Sequence, residues 1–215
     1  HEQLSSFQHE FQDIFGRNTA KYFDEAGRFY FTKEQFDLLY PSYGDSYPMF
    51  NGAIGMTIEQ GGGGQAGIGG LNSVSYRIEG HYTAAMSAAE VTSKNAERLL
   101  SEFAKFYKDN STNPKGKYKS FIIKGESNPA QVAKLLELLD KNGIRYGMAS
   151  SKSGLKGFAY GTGKSESFAT TDKDIIISAH QPKSVLTQVF FEPSPTLHDS
   201  ITYDITSWAM PYAYG

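Results

Sequence analysis

Glu59 closes an apolar, strand-like run, Ala53-Ile54-Gly55-Met56-Thr57-Ile58, at the edge of a glycine-rich stretch. A lone carboxylate at the end of such a strand, beside a cleft, can act as a general base toward a metal-bound water when a metal lowers that water's pKa. The plainer reading is a solvated glutamate that caps a strand. The same run, Tyr40 to Gly62, carries Tyr40, Tyr43 and Asp45 upstream of the acid. Read by residue type alone, the phenols pack as amphipathic aromatics. The run is too poor in helix formers for a helix and too apolar for a solvated loop.

Other chemistries find less support. The five histidines are His1, His9, His81, His180 and His198, and none is followed by glutamate three residues later. A His-Glu-x-x-His pattern is absent too, whereas a catalytic zinc normally takes three protein ligands. No zinc site is therefore expected within the chain, and His81 reads as a capping or packing residue. Cysteine is absent, which excludes disulfides, thiolate metal sites and cysteine nucleophiles. Gly61 to Gly70 (GGGGQAGIGG) lacks the Gly-Lys-Ser/Thr ending of a phosphate loop and reads as a mobile loop. Ser153-Gly154 and Ser165 read as loop residues without a nucleophile elbow. No Gly-x-Gly-x-x-Gly fingerprint opens the region 118–149.

The elements that must position Glu59 follow from periodicity. Leu4, Phe7, Phe11 and Ile14 predict a helix over residues 3–15 with Gly16 as its stop. Phe29 to Thr32 reads as a short strand, residues 33–39 as a short helix or turn, and Val74 to Ile78 as an alternating strand. A long helix is expected from Tyr82 to Tyr107, burying Met86, Ala89, Leu99, Leu100, Phe103 and Phe106. Asp109 to Lys117 is polar, holds Pro114 and Gly116, and reads as a linker.

A second pattern follows. Tyr118 to Lys124 is a predicted strand, and Asn128-Pro129 starts a helix that buries Val132, Leu135, Leu136 and Leu139 and stops at Gly143. Ile144 to Ala149 completes a β-α-β unit, expected to be parallel and right-handed. Residues 157–169 predict a hairpin turning at Gly161 to Lys164, and Asp174 to Ser178 a short buried strand. A helix after Pro182 should turn Val185, Leu186, Val189 and Phe190 inward. Asp199, Tyr203, Asp204, Thr206 and Trp208 form a polar-aromatic cluster read as an interdomain contact.

The 215 residues suffice for one large or two small domains. A formal charge of -2 offers no electrostatic case for nucleic acid or an anionic membrane. No apolar run approaches the ~20 residues that span a bilayer. The abrupt ends, His1-Glu2-Gln3 and Tyr212-Ala213-Tyr214-Gly215, read as those of a fragment, so missing targeting signals carry little weight.

Thr57-Ile58-Glu59, with the tyrosines and the Gly44-Asp45-Ser46-Tyr47 turn before it, resembles the C-terminal part of the zinc metallocarboxypeptidase family. The wording GDSYPMFNGAIGMTIEQGG is similar to a bacterial subgroup of secreted members. The resemblance covers roughly residues 1–108 and implies Glu59 as the general base, with Tyr40 or Tyr43 as a lid over the substrate's terminal residue. It also implies Asp45 at the base of a pocket that would favour a basic side chain. Zinc ligands and carboxylate-gripping arginines would lie N-terminal to the matched region. The last 36 residues, His180 to Gly215, resemble the segment that follows the peptidase in that subgroup, part of a class I glutamine amidotransferase-like α/β region whose chemistry needs a cysteine absent here.

The expected fold class is α/β: a partial carboxypeptidase-like mixed sheet with helices over 1–108, a linker over 109–117, and a small accessory α/β domain with its β-α-β unit over 118–215. The expected function is that of a piece of a zinc carboxypeptidase, secreted or periplasmic, inactive alone and partnered by peptide substrate and the rest of the peptidase domain. The alternative is a non-catalytic module that binds peptide or glycan.

Overall fold

The computed structural model describes residues 3–32, 38–61, 66–67, 70–71, 73–196 and 209–214. The first helix, α1, spans Ser6–Glu25. A capping box starts it: Ser5 Oγ accepts from the Gln8 backbone N–H at 3.2 Å, and Gln8 Oε1 accepts from the Ser5 N–H at 3.0 Å. The helix passes through Gly16 rather than stopping there. An isolated glycine costs only about 1 kcal/mol in a helix, and the buried Phe11 and Phe15 just before it anchor that stretch of α1. Phe29 to Thr32 forms no strand, and Phe29 and Phe31 are 72% and 87% exposed.

A single turn, α2 (Ser46–Met49), follows, and a two-residue antiparallel bridge joins β1 (Ala66–Gly67) to β2 (Gly70–Leu71). Val74 to Ile78 is helical, not extended. Ser73 Oγ accepts from the Tyr76 N–H at 3.1 Å and caps α3 (Val74–Lys94). Val74 and Ile78 stand four residues apart, so their spacing satisfies a helix as well as a strand. The expected long helix is thus two: α3 ends at Asn95, whose side-chain amide donates to Val91 O at 2.8 Å, and α4 (Ala96–Thr112) begins beyond it. Helix α4 takes up the first residues of the expected linker.

The face that α3 buries is not the expected one. Ala84, Ser87 and Val91 are buried on the side of α3 that meets α1, and Gly80 is covered by Gln60, while Met86, Leu100 and Phe103 are exposed. Small residues let α1 and α3 approach closely. The pair is also tied by Glu90, whose carboxylate accepts from Asn18 at 2.9 Å, from the Tyr22 hydroxyl at 2.8 Å and from Lys94. The Lys94 hydrogen bond, with those from Asn18 and Tyr22, holds the Glu90 carboxyl down at about 2.

After α4 the chain forms β3 (Ser120–Ile123), α5 (Pro129–Lys141), β4 (Gly147–Met148), the hairpin strands β5 (Lys152–Ala159) and β6 (Lys164–Thr170), β7 (Ile175–Ser178), α6 (Ser184–Phe191) and α7 (Met210–Tyr214). Ser153, Gly154 and Ser165 therefore sit in hairpin strands. Asn128 Oδ1 accepts from the Ala130 N–H and Pro129 opens α5, as the sequence predicts. Strand β7 lies between β3 and β4 and runs antiparallel to both, pairing Ile177 with Phe121 and Ile176 with Gly147. So β3 and β4 are parallel to each other but not adjacent; the expected β-α-β unit is split by a later strand.

The architecture is mixed helix and small antiparallel sheets, an α/β composition in the general sense. The main core gathers Leu135, Leu139, Ile177, Leu186, Val189 and Phe191 with Leu4, Met49 and Phe50 from the N-terminal region. Asp174, 1% exposed, ties the turn before β7: it accepts from Lys124 Nζ at 2.5 Å and from the N–H groups of Gly125 and Thr171 at 2.8 and 2.9 Å. The Lys124 hydrogen bond, aided by those N–H groups, lowers its carboxyl to about 2. No described helix is long and apolar enough to cross a membrane. The cluster of Asp199, Tyr203, Asp204, Thr206 and Trp208 falls outside the described residues, as does most of Gly61 to Gly70.

Candidate functional site

Segment 53–60 holds Glu59, and it is not a strand. Its backbone carbonyls are taken by amide side chains of α1 instead of a ladder. Gln8 Nε2 donates to Met49 O at 2.7 Å and to Ala53 O at 2.9 Å, and Gln12 Nε2 donates to Gly55 O at 2.8 Å. Gln8 and Gln12 lie four apart on one helix face, so one helix reads alternate carbonyls, of Ala53 and Gly55, along the extended segment. The apolar side chains Ile54 and Met56 pack against Phe11, Phe15 and Val91.

Asp45 is brought onto this segment. Its Oδ2 accepts from Thr57 Oγ1 at 2.7 Å and its Oδ1 from Ser46 Oγ at 3.3 Å, and the residue is 7% exposed. Gly55 lies so close to the Asp45 carbonyl that any Cβ there would collide with it. Its N–H also meets Met49 Sδ at 2.9 Å. The turn 43–50 and the segment 53–57 are thus one packed unit. Asp45 organises that unit, since both carboxylate oxygens are already engaged by neighbouring hydroxyls.

Tyr40 and Tyr43 are half-buried and packed edge to face, with ring centroids 5.1 Å apart and planes at 71°. They form a pair rather than two independent phenols, an arrangement favoured by the ring quadrupoles. Glu59 itself is exposed. Two residues earlier the chain is held by Thr57, and one residue later Gln60 lies against α3 at Gly80, where its amide occupies the space a side chain would need. The acid is therefore a solvent-facing carboxylate on a short span fixed at both ends. Two cavities of about 280 and 330 Å³ touch none of Tyr40, Tyr43, Asp45 and Glu59; they lie around Lys115 and between the start of α1 and α4.

The zinc that the resemblance implies has no fit here. Among the described residues, no three His, Asp or Glu side chains come together to hold a metal ion. His9, His81 and His180 are all exposed, and His81 lies within α3 rather than at its start.

Sequence reasoning passed over Gln8 and Gln12, the residues that hold the segment, and used Thr57 only as part of a motif. The one signal for Gln8 was the Ser-x-x-Gln spacing of a capping box. Its second role, reaching chain more than forty residues away, has no local signature. No family model, curated protein or solved structure matches the chain.

Proposed function

We propose that this chain supplies the general-base portion of a zinc-dependent carboxypeptidase that hydrolyses C-terminal peptide bonds. The observation that carries the reading is the Thr57–Asp45 hydrogen bond at 2.7 Å. It joins the Thr-x-Glu motif to the Gly-Asp-Ser-Tyr turn, two pieces whose spacing in sequence is set by unrelated residues. In this reading Glu59 takes a proton from the attacking water and passes it to the departing amine, a role that an exposed carboxylate can fill. The Tyr40–Tyr43 pair closes over the terminal residue of the peptide. Asp45 positions the segment through Thr57.

The described residues do not fit a zinc ion, so the reading assigns the metal to a His-x-x-Glu-bearing segment outside these 215 residues and takes no step through it. Secretion to a periplasmic or extracellular space is part of the same proposal. Two measurements test it. Metal analysis of the chain alone should find no stoichiometric zinc; a bound equivalent contradicts the assignment of ligands elsewhere. With the ligand-bearing segment joined to the chain, mass spectrometry should detect release of the terminal residue from a peptide with a free C-terminus and none from its C-terminal amide. Cleavage of both, or of neither, sinks the carboxypeptidase reading.

A further inference from the structure

Helix α4 carries a second cluster of polar side chains, distant in sequence from Glu59. Arg98, Glu102, Lys105, Phe106, Asp109 and Asn110 recur at steps of three and four, so they share one face of the helix. That face and the start of α1 border the cavity of about 330 Å³. Phe7 of α1, Phe106 of α4 and Val185 of α6 supply its apolar wall. The Phe106 ring is seated on bare backbone at Gly52, where an added Cβ would stand 2.8 Å from it.

Most of the polar groups around this cavity are already engaged. Arg98 donates to both carboxylate oxygens of Glu10, at 2.8 and 2.6 Å, and Lys105 donates to Asp109 at 2.9 Å. Ser5 and Gln8 are taken up by the capping box. One group of each charge is left over. Glu102 is half-buried and lies near enough to Arg98 and Lys105 to raise their pKa values. Among the described residues it nevertheless makes no hydrogen bond or ion pair, and neither does the exposed Lys115, which also borders the smaller cavity. A third group is unsatisfied: Asn110 is 6% exposed and its Nδ2 has no acceptor. A buried amide donor left unpaired is costly, so an acceptor brought in by a guest is favoured. One carboxylate, one ammonium, one amide donor and an aromatic wall are complementary to a zwitterion with an apolar side chain. Its ammonium would face Glu102, its carboxylate Lys115 and Asn110, and its side chain Phe7 and Phe106. The volume is at the small end of ligand sites, which favours a single residue over a peptide.

We propose that the cavity between the start of α1 and α4 binds a free α-amino acid with an apolar side chain. L-leucine and L-phenylalanine are the probes, titrated into the nitrogen-15-labelled chain and followed by NMR. At least one should bind saturably, one per chain, and shift the Asn110 side-chain amide. The N-acetyl and C-terminal amide forms of the tighter binder, which lack the ammonium and the carboxylate in turn, should each bind about tenfold more weakly or worse, the loss of one charge-assisted contact. Glu102→Gln should weaken the free amino acid by about the same factor and leave the N-acetyl form unchanged. Lys115→Gln should weaken the free amino acid likewise and leave the amide form unchanged. No saturation by either amino acid means that the cavity holds water only and overturns the proposal. Equal binding of the blocked forms overturns it as well, because the two leftover charges then select nothing. The ligand series needs only the wild type, so it decides even where a variant fails to fold. None of these readouts uses Glu59 or peptidase activity, so this proposal and the proposed function fail separately.

Discussion

Segment 53–60 and strand β7 begin from similar material and are held in opposite ways. Both are short, extended and apolar: Ala53-Ile54-Gly55-Met56-Thr57-Ile58 in one, Ile175-Ile176-Ile177-Ser178 in the other. Strand β7 is flanked on both sides, by β3 and β4, and Ile177 is fully buried. Segment 53–60 has no strand partner among the described residues and is suspended from Gln8, Gln12 and Asp45. A ladder fixes every second residue and buries what it fixes. Suspension by side chains fixes single points and leaves Glu59, between Thr57 and the Gln60 that lies on α3, facing water. The first arrangement makes a core and the second presents a chemical group.

The contrast can be broken most severely at β7. Ile177→Ala deletes fully buried atoms from the central strand and should cost about 3–4 kcal/mol. A urea titration would show it as a lower midpoint with an unchanged slope. A much smaller loss would mean that the core does not depend on β7.

The next effect concerns the turn that leads into that strand. Asp174→Asn removes a buried charge-assisted bond to Lys124 and should cost about 2–3 kcal/mol. The folded carboxyl sits at about 2, below its ordinary 3.8. Its contribution is therefore complete above the unfolded value and is lost as pH falls from about 4 toward 2. Thermal unfolding of the wild type across that window should lose stability that Asp174→Asn never had. Parallel acid profiles for the two proteins would remove Asp174 as the cause.

At the suspended segment the losses should be smaller and local. Gln8→Ala strands the Met49 and Ala53 carbonyls and removes half of the capping box, for about 2 kcal/mol. Hydrogen exchange should rise over residues 49–57 and stay unchanged in β3 and β7. A uniform rise would mean that the two regions unfold as one and that the comparison fails. Thr57→Val should cost the least, about 1 kcal/mol, with loosening confined to the span around Asp45.

The same difference explains what could be read from the chain in advance. Around β7 several local signals agreed with the final structure: the Asn128-Pro129 start of α5, the hairpin turn at Gly161 to Lys164, and the burial of Val185, Leu186, Val189 and Phe190 in α6 all reappear, although Ser153, Gly154 and Ser165 lie in strands rather than loops. Those elements are specified by neighbours in sequence. Insertion of β7 between β3 and β4 was not legible, because strand order depends on pairing across more than fifty residues. Around Glu59 the apolar run was legible as extended chain, but not what would hold it. Amide side chains of a distant helix compete for its carbonyls, and no periodicity announces that. Val74 to Ile78 failed for a different reason: two apolar residues four apart satisfy either period, and the Ser73 cap decides between them. Of the candidate site, the residue types and their segment could be read, as could the tyrosines; the Thr57–Asp45 link that assembles them could not.

The central claim is that Glu59 is the proton acceptor and that the suspended segment exists to present it. Glu59→Gln tests this most directly, measured in the chain joined to its ligand-bearing segment, with kcat and KM separated on a free-terminus peptide. The substitution keeps shape and exposure and removes only basicity. Kcat should fall by roughly 10²–10⁴-fold, the range of a lost general base, with KM and the unfolding midpoint nearly unchanged. Activity equal to that of the parent would contradict the account.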